Sequence, residues 1–247
     1  MLAAVRTVRA TLRSLRIYYF DRARAEAMDR LYRDFVQPGD LVFDVGAHVG
    51  DRVASFRRLG ANVVAVEPQP AMTSVLRLLY GLNRAVTIKE VAVGREPGRA
   101  RILINTDNPT VSSLSAGFVE AAHGAPGWET QRWTKSADID VTTLDALIAR
   151  HGRPAFIKLD VEGFEAEALQ GLSQAVRGLS FEFTTIQREV AYACVERCKD
   201  LGYNRFNAAL GESQALMSQW MDADGIRRWL VELPQSANSG DVYAIAG

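Results

Sequence analysis

The feature that most constrains the fold is an alternation of short apolar segments with amphipathic segments between residues 41 and 93. The pattern predicts strands at 41–45, 62–66 and 86–93, and helices at 51–59 and 71–82. This order is typical of parallel strands joined by crossover helices. The sequence therefore predicts an α/β fold with a Rossmann-like, doubly wound, mostly parallel sheet.

The alternation resumes after a long irregular segment. Further helices are predicted at 144–150, 165–172 and 188–201, and further strands at 98–104, 139–142, 155–159, 179–184, 203–206 and 242–245. A partly helical insertion is expected at about 213–230. Residues 106–136 show no sustained period but carry Trp128 and Trp133, which argues against plain disorder. We expect this long segment to be a functional loop.

The amino terminus has its own pattern. The first twenty residues contain four arginines and no acidic residue, and apolar residues recur at spacings of three and four. The members of this stripe are Leu2, Val5, Val8, Leu12, Leu15 and Tyr19. A helix packed on its own domain or on a second subunit is the ordinary interpretation. A membrane-surface helix or an organelle transit segment would have the same pattern.

Composition excludes several classes of protein. Twenty-nine basic and twenty-nine acidic residues balance, so the overall charge offers no general attraction for nucleic acid. Cys194 and Cys198 are too few for a structural zinc site and are expected to be small buried side chains. There is no apolar run long enough to span a membrane and no signal-peptide pattern. These observations favour a cytoplasmic protein.

The first candidate site is the loop after the strand at 41–45. Asp44 lies at the end of this strand, and Gly46 and Gly50 allow a sharp turn into the next helix. Glu67 ends the next strand and suits a ribose hydroxyl pair. The loop does not have the G-x-G-x-x-G spacing of nicotinamide cofactors, so we predict a nucleoside ligand without a diphosphate, such as S-adenosylmethionine. A mere tight turn is the alternative.

The second candidate site is the acidic turn after the strand at 155–159. Asp160, Glu162 and Glu165 lie close together there, and Gly163 lets the chain turn. Like charges at close range raise the pKa of one carboxyl group, which suits a general base. A helix-capping cluster of solvated acids is the alternative. Lys158 is expected to be structural, with its stem along the sheet.

Other polar residues give weaker signals. Glu182 interrupts an apolar strand and either lines the same cleft or pairs with an arginine. The histidines, His48, His123 and His151, are too scattered to predict a metal site. His123 lies in the long loop and is a minor candidate for substrate contact.

The chain resembles the FkbM-type methyltransferases, a group of class I S-adenosylmethionine-dependent enzymes, over about residues 37–206. The last of the matching blocks is the most specific. In chain order the blocks are PGDLVFDVGA at 38–47, VEP at 66–68, SSL at 112–114, VTTLD at 141–145 and FIKLDVEG at 156–163. The family usually has asparagine at the position of His48.

The resemblance implies a fold and a role for each of several residues. The fold would be a seven-stranded sheet whose last strand is antiparallel. Asp44 and the loop residues Gly46, Ala47, His48 and Gly50 would hold the methionine part of S-adenosylmethionine. Glu67 would hold the ribose, and Ala92, at the end of the third strand, would face the adenine.

The resemblance also implies the reaction, which is methyl transfer, usually to a hydroxyl oxygen. Asp160 or Glu162 is the candidate base or orienting acid, and residues 106–136 are the candidate lid. The acceptor would be a hydroxyl of a sugar, glycolipid or secondary metabolite. Residues 1–36 would form an amino-terminal helical extension and residues 37–247 the class I methyltransferase domain.

Other functions and partners stay open at this point. The chain could instead be a nicotinamide-dependent oxidoreductase, or a cofactor-binding partner module without catalysis. The amino-terminal helix suggests peripheral membrane contact by residues 1–20, and a homodimer is a further alternative. No nucleic-acid partner and no transmembrane segment are expected.

Overall fold

The computed structural model describes the backbone of residues 2–247 and the side chains of residues 9–17 and 19–247. The strands are β1 (Leu41–Val45), β2 (Asn62–Val66), β3 (Val86–Lys89), β4 (Ala92–Val93), β5 (Gly98–Ile104), β6 (Lys135–Thr142), β7 (Phe156–Leu159), β8 (Gly178–Thr184), β9 (Tyr203–Leu210) and β10 (Ser239–Ala246). The helices are α1 (Leu2–Tyr19), α2 (Arg22–Tyr32), α3 (Asp51–Arg58), α4 (Pro70–Tyr80), α5 (Ala116–Ala122), α6 (Leu144–His151), α7 (Glu165–Gln170), α8 (Arg188–Leu201) and α9 (Ala223–Glu232).

Within residues 2–247, seven strands form the main sheet in the order β3-β2-β1-β7-β8-β10-β9. Strands β3, β2, β1, β7 and β8 pair in parallel, whereas β10 is antiparallel to both β8 and β9. The order reverses between β1 and β7, where open α/β sheets bind their ligands. The predicted doubly wound sheet with an antiparallel last strand is confirmed.

The sheet is buried between two helical layers, which is why its parallel strands are apolar on both faces. One layer contains α6 to α9, and Cys194 and Cys198 of α8 are free thiols buried in that core. On the other face, Met28, Leu31 and Tyr32 of α2 pack in one cluster with residues of β1, β2 and α3. The boundary at residue 36 between extension and domain stays a prediction.

The expectation of one strand at 86–93 is wrong. Hydrogen bonding to β2 ends at Lys89, and the chain leaves the main sheet there. Ala92 and Val93 form β4, which pairs in parallel with β6 in a second sheet of order β4-β6-β5. Lys89 and Glu90 lie at the break with apolar residues on both sides, and charged residues are also found within edge strands, so hydrophobicity alone does not mark the change of sheet.

The long segment at 106–136 is more ordered than its sequence suggests. It contains a short 3-10 turn at Pro109–Val111 and the helix α5, which Ser115 caps through the backbone N–H of Phe118. Phe118 is buried edge-on against both Trp128 and Trp133, and the Trp133 indole donates a hydrogen bond to the Val111 carbonyl at 2.8 Å. The segment therefore has a small core of its own. Its role as a lid stays a prediction.

Helix α1 packs on the rest of the chain through small side chains. Ala10 and Ser14 are buried, whereas Leu12 of the predicted stripe is 60% exposed. The side chains of Leu2, Val5 and Val8 lie outside the described residues. At the helix end, the Tyr19 hydroxyl donates a hydrogen bond to the Val49 carbonyl at 2.9 Å, so α1 is attached to the glycine loop.

No helix in the described chain is both long enough and apolar enough to cross a membrane.

Candidate active site

A cleft of about 910 Å³, counted to its open mouth, lies at the carboxyl ends of β1, β2, β7 and β8. The strand register brings these ends together, because Asp44 pairs with Ala65 on one side and with Lys158 on the other. The polar side chains around the cleft are mostly acidic. Its acidic lining residues are Asp44, Asp51, Glu67, Asp160, Glu162, Glu182 and Glu212.

The glycine loop fits between two strands only because Gly46 has no side chain. Its φ is +86°, and a Cβ at this position would overlap the backbone carbonyl oxygen of Asp160. The backbone N–H groups of Gly46 and Ala47 both donate to the Val66 carbonyl, at 2.9 and 3.1 Å. The loop is thereby held against β2, with its backbone along the cleft.

Asp44 is the buried acid beneath this loop. Its side chain is 2% exposed, and its Oδ2 has no hydrogen-bond partner among the described residues. Burial, and secondly the charge of Asp51, raises the pKa of Asp44 to about 7. A buried carboxylate oxygen without a donor is costly, and a cationic ligand group would offset that cost.

Glu67 is held rigidly at the end of β2. Its Oε2 accepts a hydrogen bond from the His48 backbone N–H at 2.9 Å, and its Oε1 accepts one from the Gln69 backbone N–H at 2.8 Å. Burial raises the pKa of Glu67 to about 7, although these two hydrogen bonds oppose the rise. Burial also lowers the pKa of the His48 side chain to about 4, so its imidazole is neutral at pH 7.

Asp160, Glu162 and Glu182, here called the carboxylate trio, converge in the cleft. One oxygen from each lies within 4.8 Å of the oxygens of the other two. Lys158 lies beneath them, 1% exposed, with its Nζ 3.2 Å from Asp160 Oδ2 and 2.7 Å from Asp241 Oδ1. The Lys158 ammonium is therefore shared between Asp160 and Asp241. Its position beneath the trio agrees with the structural role expected of it.

The pKa values of the trio diverge. Burial favours a raised pKa for Asp160, but the Lys158 ammonium, Arg52 and a hydrogen bond with Glu182 lower it. Burial, followed by the charges of Asp160 and Glu165, raises the pKa of Glu162 well above its usual range. Burial and the charges of Glu162 and Asp160 raise that of Glu182 likewise. The trio thus contains one charged acid beside two that resist ionisation.

The capping role belongs to Glu165 rather than to Glu162. The Glu165 carboxylate accepts hydrogen bonds from the backbone N–H groups of Val161, at 2.9 Å, and Gly163, at 3.0 Å. Glu162 has a φ of +56°, and its carbonyl accepts a hydrogen bond from the Ser113 hydroxyl at 2.5 Å. This bond fixes a backbone conformation that is unfavourable for a side chain other than glycine. The Glu162 carboxylate therefore does not bind these backbone N–H groups.

Most of the residues singled out in the sequence lie in this cleft. Those that line it are Asp44, Gly46, Ala47, His48, Glu67, Ala92, Asp160, Glu162 and Glu182. Gly50 does not: it begins α3 at φ +86°, and a Cβ there would meet Leu76 and Tyr80 at 2.8 Å. Ala92 lines the cleft from β4 rather than from the end of β3. His123 is an exposed residue at the end of α5, outside the cleft lining.

Sequence reasoning missed several lining residues. Arg52 and Gln69 follow the two loops that carry Asp44 and Glu67, and Gln69 donates to the Pro109 carbonyl at 3.1 Å. Glu212 reaches the cleft from the turn after β9 and pairs with Arg24 of α2 at 2.7 Å. Only the proximity of Arg52 and Gln69 to the predicted loops could have indicated them. Glu212 has no such signal.

A family model described as the methyltransferase FkbM domain matches residues 44–238. The chain is also similar to the 31-O-demethyl-FK506 methyltransferase FkbM of Streptomyces tacrolimicus, with 27% identity over 161 residues. That match covers 57% of this chain and 62% of the relative, so it spans less than two thirds of the relative's length.

Solved structures similar to this chain have low sequence identity. A putative hemolysin from Lactococcus lactis has a TM-score of 0.48 at 10% identity, over 93% of this chain and 89% of that one. The magnesium protoporphyrin IX methyltransferase from Synechocystis PCC 6803, solved with bound S-adenosylmethionine, has a TM-score of 0.46 at 12% identity, over 96% and 84%.

Proposed function

The chain belongs to the FkbM methyltransferase family, and from that premise we propose that it methylates a hydroxyl group of a sugar, a glycolipid or a secondary metabolite. Membership of the family indicates S-adenosylmethionine as the methyl donor. The observation that carries the proposal is the cleft, which has the glycine loop after β1 at one side and the carboxylate trio at the other.

The residues around the loop fit the donor. Asp44 Oδ2, which has no hydrogen-bond partner in the described part of the chain, would accept a hydrogen bond from the ammonium of the methionine part. Glu67 has both oxygens oriented by backbone N–H groups and would accept from the ribose hydroxyls. Apolar residues near Ala92, among them Val91 and Ile102, would cover the adenine. Gly46, Ala47 and His48 would provide the backbone wall between these groups.

S-adenosylmethionine supplies an activated methyl group: the acceptor oxygen bonds the methyl carbon, the electrons of the broken C–S bond stay on sulfur, and the acceptor proton leaves. The protein must align the acceptor hydroxyl, exclude water and receive that proton. Asp160 and Glu162 lie at the edge of the sheet beside the loop, and we assign them to these roles. Residues 110–114, which include Thr110, Ser112 and Leu114, form the opposite wall.

The first expected result is selective binding of the donor. S-adenosylmethionine or its demethylated product should raise the melting temperature, because a ligand of the native state stabilises it by mass action. Glu67→Ala should weaken donor binding by about 1.5–3 kcal/mol, the scale of a hydrogen bond to a charged group. Differential scanning calorimetry measures the melting temperature, and isothermal titration calorimetry measures the donor affinity. Glu90→Ala, which removes a partly exposed acid paired with Arg77, is the matched control and should bind normally.

NADH serves as the competing ligand in the same titration. Tight NADH binding without S-adenosylmethionine binding would favour an oxidoreductase and overturn the proposal. Donor binding without turnover on any hydroxyl acceptor would favour a partner module instead.

We also propose that α1 makes peripheral contact with an anionic membrane surface. Its exposed residues include Arg9, Arg16, Leu12 and Ile17, and Phe20, which directly follows the helix, is 81% exposed. Arginines beside exposed apolar side chains are typical of helices that lie at a lipid interface.

Phe20→Ser should weaken co-sedimentation with anionic vesicles about tenfold, because one large apolar side chain contributes roughly 1.5–3 kcal/mol when buried. Val231→Ser, at a 58% exposed position on α9, is the matched control. Equal vesicle binding by both variants would contradict the proposal. Sedimentation velocity in the same buffers reports whether α1 joins two chains in a homodimer instead.

A further inference from the structure

The carboxylate trio places three acidic side chains around one nearby cation. Lys158 is the nearest cation, and Asp241 of β10 engages it more closely than Asp160 does. Arg52 lines the same cleft, but its guanidinium pairs with Asp51 at 2.7 Å. Two acids of the turn after β7 and one acid of β8 have thus been brought together beside a single shared cation.

Two carboxylates of the trio lack donors. The Glu162 side chain is 6% exposed, and its carboxylate makes no hydrogen bond or ion pair with the residues described here. The Oε2 of Glu182 is likewise buried without a partner in the described chain. Both groups contribute oxygens to the same cluster, so they are aimed at a common point. Buried polar groups without partners are rare and costly, which indicates that a ligand supplies what the protein does not.

We propose that Asp160, Glu162 and Glu182 bind one divalent metal ion of the Mg²⁺ or Mn²⁺ class, and that this ion holds the acceptor hydroxyl. The role of the ion rests on the proposed function, whereas the binding of the ion does not depend on it.

The ligand set and its spacing fit such an ion. Hard divalent cations prefer carboxylate oxygens, whereas zinc favours histidine and thiolate ligands that this cluster lacks. Two oxygens that bind one Mg²⁺ ion at about 2.0–2.1 Å are at most roughly 4.0–4.2 Å apart. The oxygens of the trio lie within 4.8 Å of one another, so a small closure of side chains completes the site.

Three carboxylates leave coordination positions open toward the cleft. An acceptor hydroxyl bound there would lose its proton more readily, since a metal ion stabilises the resulting alkoxide. The O–H bond breaks, its electron pair stays on the oxygen, and the proton passes to the oxygen of Asp160 or Glu162 that the ion does not bind. The ion would also hold that oxygen in place, which lowers the entropic cost of aligning it with the methyl group.

The test is a titration of the full chain with Mn²⁺ alone, followed by electron paramagnetic resonance. We expect one bound ion per chain after prior treatment with EDTA. Glu182→Gln should weaken Mn²⁺ binding at least about tenfold, because ligand charge sets the affinity. Glu167→Gln, an exposed acid of α7 paired with Arg95, is the matched control and should bind Mn²⁺ like the unmodified chain.

Melting temperatures separate this role from a structural one. A hundredfold excess of Mn²⁺ over its Kd should raise the melting temperature of the unmodified chain by roughly 5 °C or more. In EDTA, Glu182→Gln should melt no lower than the unmodified chain, since the amide has the same shape and replaces an acid that its neighbours keep from ionising. Addition of Mn²⁺ should raise the melting temperature of the Glu182→Gln variant only slightly. Glu162→Gln repeats the comparison, so that misfolding of one variant does not decide the result.

Absence of Mn²⁺ binding, or equal Mn²⁺ binding by Glu182→Gln, Glu162→Gln and Glu167→Gln, would overturn the inference. Calorimetry with S-adenosylmethionine in EDTA keeps the two proposals apart. Donor binding without Mn²⁺ binding would leave the methyltransferase proposal standing, whereas Mn²⁺ binding without donor binding would leave only the metal site.

Discussion

Gly46→Ala should lower the free energy of unfolding by about 3 kcal/mol or more and abolish donor binding. Two costs combine at this position. A φ of +86° costs an L-residue about 1–2 kcal/mol, and the added Cβ would overlap the Asp160 carbonyl oxygen of the neighbouring strand end. Backbone cannot move aside as a side chain can, because Asp160 N–H is also hydrogen-bonded to the Val45 carbonyl at 2.9 Å. Strands β1 and β7 would have to separate at the cleft.

Gly127→Ala provides the matched control for this prediction. Gly127 has the same φ, +86°, but a Cβ there meets nothing within 4 Å. It therefore measures the conformational cost without the steric one, and we expect about 1 kcal/mol. Urea denaturation gives both values, and calorimetry gives donor affinity. Equal losses in the two variants would mean that the approach of the loop to Asp160 has no energetic importance.

Asp160→Asn and Glu162→Gln should each reduce turnover by about a hundredfold or more, the usual contribution of general acid–base catalysis or of an equivalent positioning group. Each substitution keeps the shape of the side chain and removes its ability to take up and release a proton. Donor affinity should change little, because the proposed donor contacts come from Asp44, at the methionine part, and from Glu67, at the ribose. Turnover is measured as transfer of a labelled methyl group to acceptors screened among sugars, glycolipids and secondary metabolites.

A capping role for these residues would give the opposite pattern, with stability lowered by about 1 kcal/mol and near-normal turnover. Glu165→Gln should behave in that way, since Glu165 binds the two backbone N–H groups of the turn. Folded, fully active Asp160→Asn and Glu162→Gln variants would remove both residues from the chemistry. The candidate base would then be Glu182.

The main sheet could be predicted because its elements carry local signals. Strands β1 and β2 lie at the predicted residues, and α8 spans the predicted 188–201, where Gly202 ends it at φ +97°. Asp44 and Glu67 were found by the same reasoning, since they lie where two such strands end. Periodic burial and glycine positions are properties of a few adjacent residues, so they can be read without knowledge of the tertiary structure.

Other features depend on contacts between distant residues. The split of 86–93 between two sheets follows from pairing of Ala92 with Val141, which no local pattern indicates. Helix α5 has seven residues, too few to establish a helical period, and is stabilised by contact of Phe118 with two tryptophans. The burial of Ala10 rather than Leu12 in α1 was missed for a related reason: close packing favoured small side chains over apolar ones.

The small core around Phe118 makes one wall of the cleft an exchangeable unit. Val111, Phe118, Ala122 and Trp128 bury one another, while the adjoining Thr110, Ser112 and Leu114 face the cleft. The Trp128 indole donates to Asn238 Oδ1 at 3.2 Å, which fastens the unit beside the start of β10. On the proposed function, replacement of this wall would change which acceptor fits without repacking the main sheet. Engineering of acceptor preference would best transplant residues 105–134 whole and retain Asn238.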